Sequence, residues 1–298
     1  MATIREYDVS ETTTAGKVSA WVRNRNNDPA ITRFSPIPTL EEVRAVLGDQ
    51  IEGLDLWSCF NPNAYAKALP KAPPVDSILS CDSMYSYTAI IVAPPLPKME
   101  TDAPLDGCRS MLIPAVIPKE ITDLNHFYDD CNSLLCPVSI HSGVTKTYYM
   151  YSDCTDLTGE MVIRMSSYPS GYQGEKMFYN TTKEIILYGD QTVCQAAAAT
   201  ANNGNVSWAP WYDPVPAVTD RGQGSYTTAA DMTRMVRNGA LAVNSYAPGR
   251  MVYHQGDIVR ADEWEALVEA AQTIDPTVTL STNYANLNKI EKAFDDAL

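Results

Sequence analysis

The chain is poor in charge, in histidine and in long apolar runs, and each shortage excludes something. Charged residues make up 19% of its 298 positions, and acids outnumber bases by 36 to 22, for a formal charge of −14. The largest cationic cluster is Arg23–Asn24–Arg25, too small for the basic stripe that phosphate contacts require, so direct nucleic-acid binding is not expected. Apolar runs such as Ala89–Pro95 fall far short of the ~20 residues of a membrane helix, and no membrane partner is expected. Residues Met1–Ser10 carry no apolar core of a signal peptide, which predicts assembly in a cytoplasm. HExxH, GxxxxGK[ST] and GxSxG are all missing. Gly222-x-Gly224 lacks the third glycine of a dinucleotide loop. No catalytic residue, cofactor or metal is therefore nominated, and the chain is read as a non-enzyme.

What is present is an ordinary globular composition, 45% hydrophobic, enough to bury a core and to exclude disorder for the bulk of the chain. Seven cysteines (59, 81, 108, 131, 136, 154 and 194) form an odd set without evident regular spacing. They are expected to be free thiols packed as small hydrophobes. No internal repeat is apparent.

Thirteen of the 20 prolines lie before residue 120, which favours short strands and ordered loops over long helices. A polar arm over 10–16 leads to an alternating segment, 17–23, read as a half-buried strand. Thr39 and Glu42 have capping-box spacing ahead of a short helix ended by Gly48. Strands are expected near 85–92, 111–116, 145–151, 160–165, 175–179 and 184–188. A helix is expected after Pro118, with Ile121, Leu124, Tyr128, Cys131 and Leu135 on one face and His126 off it. Further helices are expected over 231–236, capped by Thr228 and stopped at Asn238–Gly239, over 261–274 and over 284–297. The resulting fold class is α+β, mainly antiparallel β in a sandwich or meander sheet, with peripheral helices and a C-terminal helical segment. Its divisions are an arm and first strand (1–36), a β-rich body (37–216) and a helical segment (217–298).

Few groups carry chemistry. Cys131, Cys136 and His141 give the outline of a thiolate–imidazole zinc site, against a plain core cysteine. Asp129–Asp130, Asp153 with Asp156, and Asp295–Asp296 have the chemistry of calcium ligands or a glycosidase pair, against solvated loop acids. The strongest pattern is Ser207–Pro216, where Trp208, Trp211, Tyr212 and Asp213 could form a sugar-stacking platform. The competing reading, favoured here, is that the Trp pair anchors a long loop to the body or to a neighbouring subunit. The sequons Asn180–Thr182 and Asn205–Ser207 carry no weight without a secretory signal.

Residues 253–271, YHQGDIVRADEWEALVEAA, place Gly256, Asp257, Ile258 and Val259 ahead of a helix bearing Trp264, Leu267 and Val268. This segment resembles an element of phage tail, fibre and head-decoration proteins, in which a turn and brief strand lead into a helix with a buried Trp; Glu265 stands where the familiar form has Asn. The resemblance implies a structural or assembly component of a virus particle, a homo-oligomer with other virion proteins as partners. The rivals are a major capsid subunit, a carbohydrate- or receptor-binding module with a glycan partner, and a hydrolase with a carboxylate pair.

Overall fold

The computed structural model describes residues 39–49, 52–60, 74–171, 174–214 and 227–298. The arm over 10–16, the strand over 17–23 and Gly222-x-Gly224 lie outside them. The described residues hold five helices: α1 (Leu40–Leu47), α2 (Gln191–Ala198), α3 (Ala229–Ala242), α4 (Ala261–Gln272) and α5 (Tyr284–Ala297). They also hold five short strands: β1 (Leu54–Asp55), β2 (Ile78–Ser80), β3 (Gly159–Ile163), β4 (Ile185–Gly189) and β5 (Val206–Trp208). Every strand pairing is parallel, β1 with β2 and β3–β4–β5 in a second sheet. The expected antiparallel, mainly β fold is thus overturned.

The reason is a repeat. Between Leu54 and Ala209 the described residues wind in coils that stack in register. The amides of Phe60, Tyr85, Tyr128 and Tyr151 donate to the carbonyls of Met84, Pro104, Met150 and Met177 in the following coil. These bonds align Phe60, Tyr85, Leu105, Tyr128, Tyr151 and Phe178 in one interior column, 20 to 27 residues apart. Its rings stack face to face: Phe60 on Tyr85 at 5.5 Å, Tyr128 on Tyr151 at 5.5 Å, Tyr151 on Phe178 at 5.6 Å. Three residues further on runs a second column, Thr88, Cys108, Cys131, Cys154 and Thr181, all buried. Each thiol donates to the carbonyl of the ring-column residue one coil back: Cys108 to Tyr85 (3.1 Å), Cys131 to Leu105 (3.2 Å), Cys154 to Tyr128 (3.0 Å). Cys108, Cys131 and Cys154 are spaced by 23 residues, so the cysteines do carry a period. The architecture is a solenoid, in which each coil buries its apolar face only by stacking on its neighbours.

Stacked coils run the same way, which makes their pairings parallel. The segment after Pro118 is one such coil, not a helix. Ile121, Leu124, Tyr128 and Cys131 are buried as expected, but Leu135 is exposed. Residues 148–151 and 175–179 are turns, Lys146 forms a single parallel bridge with Asp123, and 85–92 and 111–116 share the bridge Val92–Ile113. Parallel strands buried on both faces follow at the C-terminal end of the stack. Met161, Ile163, Ile185 and Leu187 face the solenoid core, while Val162 and Tyr188 face a second core made with α3, α4 and α5.

That helical unit is locally well specified. Thr228 caps α3 in a reciprocal box with Asp231. The helix runs on through Asn238–Gly239, where a stop was expected. A Cβ at Gly239 would lie 2.9 Å from the Phe294 ring, so the glycine serves close helix packing there. Two buried ion-pair groups tie the unit together. Arg250 grips Glu263 with Nε–Oε1 at 2.7 Å and Nη2–Oε2 at 2.9 Å, and Arg234 bridges Asp231 and Glu291. In the segment over 253–271, a turn at Gly256 leads into α4 without a strand. Leu267 and Val268 are buried. Trp264 is half-buried, its indole N–H donating to Leu280 O. Arg260 and Asp262 reach the solenoid backbone at Pro114 O (2.9 Å) and Val116 N (3.3 Å).

Candidate functional site: a ridge along the solenoid

Each coil turns its outer corner through two left-handed residues, two before and two after the ring column. The first column is Ser58, Ser83, Ala103, His126, Tyr149 and Lys176, and the second is Tyr87, Gly107, Asp130, Asp153 and Asn180; all have positive φ. Asp, Asn and Gly suit this backbone, whereas a larger L-residue costs about 1–2 kcal/mol. The second column follows that preference except at Tyr87, whereas the first holds none of these residue types. The left-handed corner recurs from coil to coil and so belongs to the repeat itself.

These corners form one ridge. His126 Nδ1 lies 2.8 Å from Asp129 Oδ2. The His126 ring stacks on Tyr149 at 5.1 Å and 30°, with Tyr148 edge-on to it at 5.5 Å. Lys176 Nζ donates to Tyr149 Oη at 2.8 Å. That bond lowers the Tyr149 pKa, with Tyr148 adding a smaller effect in the same direction. The bond to Asp129 raises the His126 pKa against the opposing effect of burial. On the neighbouring coil, burial pushes the Asp106 carboxyl up to about 6. The hydrogen bond from Tyr87 opposes that rise, and the negative charge of Asp129 adds to it. The Tyr87 ring lies over Gly107, where a Cβ would sit 2.3 Å from a ring carbon. Along the second column, Asn180 donates to Asp153 Oδ1 and Asn202 to Asn180 Oδ1, each at 2.8 Å.

The residues nominated from sequence are placed elsewhere. Trp208 is half-buried, its indole N–H 3.4 Å from Gly189 O. Trp211 stacks on Tyr188 at 6.0 Å with the Arg164 guanidinium 4.6 Å over its ring. Tyr212 donates to Arg237 O at 3.0 Å and lies under that guanidinium at 4.1 Å. Trp211 and Tyr212 thus bind the loop into the seam between the sheet and α3, and Asp213 is exposed beside them. Cys131 and His141 do not converge. The thiol bonds Leu105 O, whereas His141 Nε2 faces the Pro118 and Ile121 carbonyls and Nδ1 accepts from Gly143 N. No metal-holding cluster occurs among the described residues. Of the carboxylate candidates, Asp129 and Asp130 belong to the ridge. Asp156 pairs with Lys183, Asp295 with Asn238 and Asp296 with Lys292.

The described residues also form two concavities. A cavity of about 590 Å³ between the solenoid and α4 is floored by Leu96, Val116, Ile117, Tyr246, Ala266 and Ala270, with Lys98 bridging Glu265 and Glu269 at its rim. An acidic groove holds Asp82, Glu100, Asp102 and Asp123. Its Glu100 oxygens accept from Thr122 N and Asp123 N at 2.8–3.1 Å, so that carboxylate serves the backbone. Comparison with protein-family models, curated proteins and solved structures returned no match.

Sequence reasoning missed the ridge because it missed the repeat. The signal was available: Met-Tyr or Phe-Tyr, then Asp, then Cys, with Leu or Met three residues after the Cys, at Phe127–Leu134, Met150–Leu157 and, more loosely, Pro104–Met111.

Proposed function

We propose that this chain is a structural recognition component of a virus particle, of the decoration, fibre-attachment or tail type, which meets its partner through the solenoid ridge. The observation that supports it is the layout of the chemistry-bearing side chains. Tyr87, Asp106, His126, Asp129, Asp130, Tyr149 and Lys176 are spread along one open edge over successive coils, where a long partner can reach them all. In a solenoid, successive repeats place such side chains in one extended row. The virion setting rests on the resemblance over residues 253–271, with its turn leading into the Trp264 helix. Light scattering after size exclusion, with negative-stain images of the same fractions, tests the assembly half. Closed rings, trimers or fibres are expected. A 32.8 kDa monomer at every concentration overturns it.

A further inference from the structure

We propose that the cavity between the solenoid and α4 binds a small amphipathic organic cation, an ammonium group carried on an apolar body. The inference is independent of the ridge reading. The first support is the cavity's place and shape. It lies where the solenoid coils at Leu96 and Ile117 meet the helical unit at Tyr246 and α4, and its volume is about 590 Å³. Small-molecule sites hold roughly 300–1,000 Å³ and favour such junctions, with an apolar floor and a few polar groups at fixed places. Leu96, Ile117, Tyr246 and Ala270 are each buried, and together they floor the cavity for a flat or aliphatic body.

The second support is an unmet carboxylate. Glu120 lines the cavity, and its Oε2 is buried without a hydrogen-bond donor. A buried carboxylate oxygen of this kind has lost its water without gaining a partner, which is unfavourable until a donor arrives. His141 lies close enough to feel the Glu120 charge but does not supply that donor. Its Nε2 faces the Pro118 and Ile121 carbonyls, and its Nδ1 accepts from Gly143 N. Burial holds its pKa below the ordinary value, against the opposing effects of those carbonyls and, more weakly, of Glu120. The imidazole is therefore neutral at pH 7 and leaves the Glu120 charge unbalanced.

The third support is charge complementarity. The lining carries Glu120, Asp262, Glu265 and Glu269 against Lys98 and Lys119. Asp262 is matched by Arg260, and the remaining carboxylates still outnumber the lysines. Lys98 is shared between Glu265 and Glu269 at 3.4 and 3.3 Å, so one cation serves two acids a turn apart on α4. A further ammonium complements this rim. Its N–H groups suit the Glu120 oxygen once the carboxylate turns about its soft terminal torsion. An anion would face those carboxylates, with Lys98 already engaged.

The test is isothermal titration calorimetry of the full chain with phenylbutylamine, phenylbutanol and phenylbutyrate, which share an apolar body and differ in charge. Saturable binding of the amine is expected, at least about tenfold tighter than either counterpart, the worth of one charge-assisted hydrogen bond. Glu120→Gln keeps the side-chain shape and should remove most of that preference. Ala266→Phe, which fills the cavity, should abolish binding, with circular dichroism verifying its fold; if it does not fold, Glu120→Gln decides alone. Glu184→Gln makes the same charge change at an exposed site outside the cavity and should leave binding unchanged. Absence of amine binding overturns the proposal, as does equal binding of the alcohol or the butyrate. Amine binding that Glu120→Gln does not weaken reflects attraction to the acidic surface at large and overturns it too.

Discussion

The solenoid and the C-terminal helical unit solve the same problem by different means. In the solenoid, stability is spread over repeated columns of rings, thiols and left-handed corners, each coil leaning on the next. In the helical unit it is concentrated at caps and at two buried ion-pair groups, Arg250–Glu263 and Arg234 with Asp231 and Glu291. A periodic core tolerates substitution by whatever another coil already uses at that column. A core built around a desolvated charge tolerates almost nothing at that point.

The sharpest break in this comparison is expected from Glu263→Ala. It strands the buried Arg250 guanidinium and should cost about 3–5 kcal/mol in urea unfolding. Tyr151→Ala, in the middle of the ring stack, removes a fully buried ring and should cost a similar amount, about 3–5 kcal/mol. The two should differ in what melts. Near-ultraviolet dichroism from the stacked tyrosines should be lost first in Tyr151→Ala, and helical signal at 222 nm first in Glu263→Ala. A single transition common to both variants would show that the two cores unfold as one.

A smaller effect is expected at the corners. Gly107→Ala must adopt φ +66° and meet the Tyr87 ring, for a loss of about 1–2 kcal/mol or more. Acid titration sharpens the picture of the ridge. Burial raises the folded-state pKa of Asp106 from its ordinary 3.8 to about 6. Between those values the folded protein holds more protons than the unfolded chain, so this group makes stability fall as pH rises from about 4 to about 6. The His126 pKa is also raised. Its contribution is likewise present at low pH and lost as pH rises through its folded value. Asp106→Asn should flatten the fall in melting temperature across that window, and an unchanged profile would refute the assignment. The smallest effect is expected at Cys131→Thr, a column where Thr88 and Thr181 already stand. It should change stability by less than about 1.5 kcal/mol.

Much of the helical unit was legible in the sequence. The Thr228–Asp231 capping box, the apolar faces of α4 and α5 and the α5 limits at Tyr284 and Ala297 are local signals, and the structure keeps them. Gly239 misled, because its role is to admit Phe294 from another helix. In the solenoid, the same buried residues were seen and given the wrong period. Ile121, Leu124, Tyr128 and Cys131 have helical spacing along the chain, but the equivalent positions one coil away are Val144, Thr147, Tyr151 and Cys154. The candidate site followed the same rule. Trp208, Trp211 and Tyr212 stood out by residue type, yet the fold uses Trp211 and Tyr212 to seal a seam, whereas the ridge draws single residues from several coils.

By itself the sequence determined composition, charge, the burial of most apolar side chains, the cap of α3 and the limits of α5, because these depend on contacts within a few residues. Tertiary structure alone decided that the strands are parallel, that the cysteines form a column and which tyrosines reach the surface. Those depend on registering residues 20 to 27 positions apart, and the register is fixed only when the coils stack and their amides find carbonyls in the neighbouring turn.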